Sequence, residues 1–368
     1  MARLDSFLEL VVEQQASDLH FHAGKQPVLR RHGELLRIPF RDLSAAETRR
    51  FILEILSPDQ RRRLEEVKEL DLVYDVPELG RFRGNVCHQH HGLSAVFRLI
   101  RRDIPTLEEL LLPGSLRRIS GLTSGLVLVT GPTGSGKATT LAALVHEVNR
   151  TRRRHILTIE DPIEFVHAPV RSVVTQREIG THVRSFADAL KSALREAPDI
   201  IVVGEMRDAE TIELALQAAE TGVLVFGTLH TNSAAKSISR MLDTLPAESR
   251  SEMRAVLSTV LKAVVSQTLV RRVSGDGRLA AVEILLWTEA VAHLIREDRV
   301  FQLEAYLRSQ GPKTGMTSLD ATLLRFVKAN MISRDEAMRY ASDSVALSAR
   351  LDQLRYDEIA QATMVAPS

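Results

Sequence analysis

The chain has 368 residues and nearly cancelling charge, 48 Lys and Arg against 47 Asp and Glu, a length that suggests two or three domains of roughly 100–200 residues each. A composition of 44% hydrophobic and 26% charged residues excludes wholesale disorder, and a net charge of +1 with 4% aromatic residues argues against a protein that coats nucleic acid or stacks bases. The single cysteine, Cys87, excludes an intramolecular disulfide and any zinc site built on two or more cysteines.

In chain order, residues 4–15 read as a helix with Leu4, Leu8, Val11 and Val12 on one face, interrupted by Asp5, Glu9 and Glu13 and so unlike a signal peptide. No apolar run approaches the ~20 residues of a membrane span, and the expected compartment is the cytoplasm. Strand-like patterns follow at 18–22, 27–31, 71–76, 80–86 and 94–99, with helices between 45 and 66, which predicts a small α+β domain over residues 1–100. Residues 101–120, with Pro105, Pro113 and Gly114, read as a linker. From 121 the pattern changes to apolar runs at 125–130, 155–159, 199–203 and 223–229. Helices at 137–150, 186–196 and 209–221 separate them. Such alternation predicts a parallel sheet covered on both faces. One more strand pattern at 279–286 closes a core spanning 121–286. Residues 287–368 read as mostly helical, with helices near 290–296, 319–328, 334–340 and 345–353.

The segment Gly131, Pro132, Thr133, Gly134, Ser135, Gly136, Lys137 follows a strand and opens a helix, the setting that a phosphate-binding loop requires. Its glycines let backbone N–H groups converge on phosphate oxygens, and the helix N-terminus adds positive partial charge. Only 8 of the 48 basic residues are lysines, so Lys137 stands out where a side chain would reach the β- and γ-phosphates. The next position breaks the pattern. A Ser or Thr hydroxyl binds Mg²⁺ there, and this chain has Ala138. Thr139 is turned by about 100° along the helix and does not simply substitute. Two readings stay open: an active but slower enzyme in which water or carboxylates fill the place, or a nucleotide-binding protein with little turnover.

Glu160, Asp161 and Glu164 lie just after a strand, at the end where a doubly wound sheet faces its ligand, and can hold Mg²⁺ directly or through its waters. The apolar run 199–203 leads into Glu205, the form of a Walker B segment whose acid would orient or deprotonate the attacking water. His230 ends the next strand, where it could donate to the γ-phosphate. His88, His90 and His91 read as a polar loop rather than a metal site. Period-two spacing puts Arg81 and Arg83 on one face of a strand, and these with Arg98 are candidates for an arginine acting on a neighbouring subunit's phosphate.

Taken in order, these segments resemble the secretion-ATPase superfamily and, within it, the type IV pilus retraction ATPases (PilT/PilU), over nearly the whole chain. The carrying motifs are Ser17-Asp18-Leu19-His20, the segment 81–85, the strand and loop 125–137, Glu160-Asp161-Pro162-Ile163-Glu164 (an Asp box), Gly204-Glu205-Met206-Arg207-Asp208, and Gly227-Thr228-Leu229-His230-Thr231-Asn232 (a His box). Residues 290–297 resemble the retraction motif AIRNLIRE and depart from it at Val291, Ala292 and His293. The resemblance implies an α/β fold: a RecA-like P-loop NTPase core, a PAS-like N-terminal α+β domain and a helical C-terminal portion. It implies a homohexamer, or one mixed with a paralogous retraction ATPase, with nucleotide bound between domains and subunits. ATP and Mg²⁺ would be bound by Gly131 to Thr139, with Lys137 on phosphate. Glu160 and Glu164 would support metal and water, Glu160 and Glu205 would serve as metal ligands, and Glu205 would be the catalytic acid. His230 would sense the γ-phosphate, and Arg81, Arg83 and Arg98 would reach the nucleotide. Ala138 stands where the family has serine. Cys87 alone cannot build the four-cysteine zinc insert of extension and type II secretion relatives, which favours the retraction branch. The expected function is an ATP-hydrolysing motor for pilus retraction, peripheral to the inner membrane at the pilus base, acting on a platform protein and binding no nucleic acid. The alternatives are a weakly hydrolysing accessory paralog and, less favoured, a RecA-like nucleic-acid motor.

Overall fold

Alternating burial along the first strands already dictates a sheet with one covered face. The computed structural model describes residues 2–31, 33–100, 103–275 and 277–365, which form two compact units, Met1–Asp103 and Ile104–Ser368. The first contains α1 (Asp5–Glu13), β1 (Asp18–His22), β2 (Val28–Arg31), β3 (Glu34–Arg37), α2 (Ala45–Glu54), α3 (Pro58–Val67), β4 (Glu69–Val76), β5 (Gly80–Gln89) and β6 (Gly92–Ile100). Its six strands form an antiparallel sheet in the order β3-β2-β1-β6-β5-β4. Leu19, Phe21, Phe82, Val86, Ala95 and Phe97 point to one face and pack with Leu4, Leu8, Val11, Phe51, Ile52 and Leu64 of the helices. Capping boxes at Ser44/Glu47 and Ser57/Gln60 start α2 and α3. This is the expected α+β unit with two corrections. The sequence pattern does not predict β3, whose four exposed residues carry no burial signal. β5 extends to Gln89, so His88 is a strand residue, and only His90 and His91 form the turn.

The second unit contains α4 (Ser115–Ile119), β7 (Gly125–Thr130), α5 (Lys137–Thr151), β8 (His155–Glu160), β9 (Val173–Glu178), α6 (Phe186–Ala193), β10 (Ile200–Val203), α7 (Ala209–Glu220) and β11 (Leu224–Leu229). It continues with α8 (Ala234–Thr244), α9 (Arg250–Val260), β12 (Leu261–Arg271), β13 (Arg278–Leu286), α10 (Glu289–Arg296), a 3₁₀ turn at Val300–Gln302, α11 (Leu303–Thr314), α12 (Leu319–Lys328), α13 (Arg334–Tyr340) and α14 (Ser344–Val365). Seven strands run in the order β13-β12-β7-β11-β10-β8-β9, parallel except for the terminal β12–β13 hairpin. β7, β10 and β11 are buried at every residue because helices cover both faces. One face packs Leu126, Leu128, Ile201 and Val203 under α7 and α8; the other packs Val127, Val129, Val202 and Phe226 under α5. Each such side chain stabilises the fold by about 1.5–3 kcal/mol relative to exposure.

The linker expected over 101–120 is corrected. Leu107, Leu112, Leu116 and Ile119 are buried in the second unit's core, so that stretch is part of it; residues 101 and 102 lie outside the described residues. The helical portion is likewise continuous with the core, since Val270, Leu279 and Ala281 of the hairpin pack with Leu323, Phe326 and Leu347. The sequence pattern does not predict β9, β12, α8, α9 or α11.

Candidate functional site

The carboxyl ends of β7, β11, β10 and β8 lie side by side, with Thr130 paired to Leu229 and Ile159 to Val203. The loops leaving these ends carry Lys137, His230, Glu205 and Glu160 to one edge of the sheet. The phosphate loop leaves β7 through Gly131 at φ 147°, where a Cβ would collide with the Gln267 carbonyl and the Ser135 hydroxyl. It re-enters a helix through Gly136 at φ 86°, which caps α5 without a side chain. By contrast, Ser185, Asp208 and Ser233 cap α6, α7 and α8 of the same unit. The first N–H groups of α5 are therefore left for a ligand's oxygens.

Lys137 Nζ donates to the carbonyls of Gly131 (2.7 Å) and Pro132 (3.1 Å) and lies 3.5 Å from His230 Nδ1. Burial pulls its ammonium below the usual lysine range, against the opposing pull of Glu205 and Glu164. Thr133 Oγ1 is also 3.5 Å from His230 Nδ1, and His230 Nε2 lies 3.0 Å from Glu205 Oε1. Lys137, His230 and Glu205 thus form a contiguous chain across the edge. Glu205 also meets Arg207 in two places, Nη2 to Oε2 at 2.6 Å and Nε to Oε1 at 2.5 Å. Burial pushes the Glu205 carboxyl up, but Arg207 and His230 outweigh it and leave the group below the usual carboxylate range.

Glu160 ends β8 and is nearly enclosed. Burial raises its carboxyl above the usual range, opposed by the Thr158 hydroxyl at 2.6 Å and the Gln176 amide at 3.1 Å. Glu164 lies close enough to act on both Glu160 and Lys137. Ala138 and Thr139 occupy the first turn of α5, both half-buried. Arg81, Arg83 and Arg98 belong to the first unit and are not part of this cluster. Arg81 lies 3.8 Å from Asp75, Arg83 sits exposed directly across the sheet from Arg98, and Arg98 Nε donates to the buried Asp18 at 2.8 Å.

Four residues without a role in the sequence reading position the cluster. Gln267 of β12 donates from Nε2 to the Ser135 carbonyl at 2.6 Å and accepts from the Thr140 hydroxyl at 2.7 Å, tying the loop to its helix. Thr228 donates from its hydroxyl to Gly204 O and accepts at its carbonyl from Met206 N, so it holds both sides of Glu205. Gln176 of β9 bonds Glu160, the Phe165 carbonyl and the His167 N–H, ordering the acidic loop. Ser237 Oγ donates within a hydroxyl cluster to Thr130 Oγ1 at 3.1 Å and lies 2.6 Å from Thr231 Oγ1, joining the strand before the phosphate loop to the residue after His230. Gln267 is buried inside the apolar strand β12, whereas Gln176 is half-buried on the edge strand β9, and the sequence pattern predicts neither strand.

The family model described as type II/IV secretion system protein matches residues 2–339. The chain belongs to the type II/IV secretion system protein family. It is 48% identical over 338 residues to the type IV pilus retraction ATPase PilT of Pseudomonas aeruginosa, covering 92% of this chain and 98% of that one. It is 37% identical to the type IV pilus ATPase PilU of the same organism, covering 92% and 89%. Among solved structures, the pilus retraction motor PilT with bound ADP superposes at a TM-score of 0.87 with 40% identity, covering 95% and 99%. The second unit is accordingly the RecA-like α/β core of a secretion-family ATPase.

Proposed function

We propose that this chain is the ATP-hydrolysing motor of type IV pilus retraction. The observation that carries the reading is the bare N-terminus of α5 beside the Lys137–His230–Glu205 chain. Backbone N–H groups and the Lys137 ammonium gather phosphate charge, and His230 lies where a terminal phosphate would replace its contacts to Lys137 and Thr133. Glu205, kept ionised by Arg207, accepts a proton from or orients the attacking water. Arg81, Arg83 and Arg98 are assigned to the same chemistry from a neighbouring copy in a homohexamer, or in a ring mixed with a paralog. Force passes to a platform protein, with the motor peripheral to the inner membrane.

Mg²⁺ is the expected companion of ATP, and it supplies charge neutralisation on the phosphates. The protein side does not fit an ion held directly by the chain. Ala138 offers a methyl, Glu160 Oε1 is taken by Thr158 and Gln176, and both Glu205 oxygens are taken by Arg207 and His230. Among the described residues no group of three or more His, Cys, Asp or Glu side chains could hold a metal ion.

The test is phosphate release from ATP by the purified chain, together with restoration of twitching in a retraction-deficient strain. Hydrolysis abolished by Glu205→Gln and restored twitching support the motor. Ala138 favours a second reading, an accessory subunit with weak turnover of its own. In that case the chain restores twitching only beside an active paralog, and Ala138→Ser raises its solitary rate.

A further inference from the structure

We infer that this chain binds nucleotide almost independently of Mg²⁺, because its phosphate loop has lost the group that links the two ligands. The inference deepens the ATPase reading and rests on it. A hydroxyl on the first turn of the loop's helix would touch the ion that the phosphates also hold, so nucleotide and metal each raise the other's affinity. Ala138 removes that link.

The hydroxyls beside Ala138 and the carboxylates of Glu205 and Glu160 do not replace it. Thr139 is turned by about 100° on α5. The Thr140 hydroxyl is committed to Gln267 Oε1 at 2.7 Å, inside the core. The Ser135 hydroxyl is buried against Gly131, within the loop rather than on the first turn of α5. Both Glu205 oxygens meet Arg207 or His230, and Glu160 is nearly enclosed, its Oε1 accepting from Thr158 and Gln176.

Everything that remains to bind phosphate works without a metal. The uncapped N–H groups of α5, the Lys137 ammonium and His230 all face the loop from protein elements. The ion's place is on the nucleotide and in water, where its contribution to holding the nucleotide in the protein is small. Reciprocity then requires that bound nucleotide raise the metal affinity equally little.

The experiment measures ADP binding to the full chain by calorimetry, in excess Mg²⁺ and in excess EDTA, for the natural chain and for Ala138→Ser. The expected result is a change under about threefold for the natural chain and above about tenfold for Ala138→Ser. ADP is not hydrolysed, so the readout is independent of turnover. A natural chain that loses more than about tenfold in EDTA overturns the inference, and so does an Ala138→Ser chain that gains no metal dependence. Absence of ADP binding to both chains under both conditions overturns the phosphate-loop reading itself.

Discussion

Glu205 sits between a guanidinium and an imidazole, and its chemistry follows from that placement. Because its folded carboxyl lies below the unfolded value, its contribution to stability is present above the ordinary carboxylate range and is lost as pH falls through the depressed value. Glu205→Gln keeps the shape and removes the base, so kcat should fall by about 10²–10⁴ with KM little changed, read from steady-state phosphate release. Arg207→Ala should move the acidic limb of the kcat/KM profile to higher pH, since the carboxyl then keeps its burial and loses a counter-charge. An unmoved limb would show that Arg207 does not tune this group. The residues of this chemistry were legible because each sits in a contiguous motif. Lys137 follows a glycine loop, Glu205 ends an apolar run, and His230 ends another. Gln267, lying 130 positions after Lys137 in sequence numbering, has no local partner and becomes meaningful only when β12 pairs with β7.

Individual elements were legible in proportion to their punctuation. β7 and β11 are short apolar runs ended by glycine or polar loops, and they fall where expected. β12 begins at Leu261, directly after α9 ends at Val260, with no intervening loop residue; nothing marks the change of period. β9 is a half-exposed edge strand, and α11 carries Gly311 and Pro312 inside a helix. Both unpunctuated strands reach the site, since β9 and β12 supply Gln176 and Gln267. Gln267→Ala leaves the Ser135 carbonyl and the Thr140 hydroxyl without their buried partner, so urea unfolding should report a loss of about 1–3 kcal/mol. Glu283 on β13 makes a different prediction. Burial raises its carboxyl, against the Ala234 N–H that it accepts at the start of α8. The folded state therefore holds a proton that the unfolded state releases first, and stability falls as pH rises through that window. Glu283→Gln keeps an acceptor for Ala234 and removes this penalty, so its melting temperature should exceed the natural chain's at neutral pH. The two should converge at pH values below the unfolded carboxylate range.

At the scale of the molecule, the first unit owns a complete core, from Leu4 through Phe97, drawn from its own helices and sheet. Residues 1–103 expressed alone should unfold cooperatively in urea with mixed α/β circular dichroism; a non-cooperative, denaturant-insensitive signal would show that this core needs the rest of the chain. The second unit spreads its sheet over five parallel strands and one terminal hairpin, and α9 runs directly into β12, the first strand of that hairpin. The helix becomes a strand across a single peptide bond, and the pairing of β12 with β7 shifts register between Leu261 and Ala263, so the strand opens on an irregularity at Lys262. The strand bearing Gln267 is thus continuous with α9, which packs on α10 and is joined to Asp298, just beyond α10, by an ion pair from Arg254. A continuous route of chain and packing therefore runs from the phosphate loop through Gln267 and β12 to α9 and on to the 290–297 segment, with no loop residue between that helix and that strand.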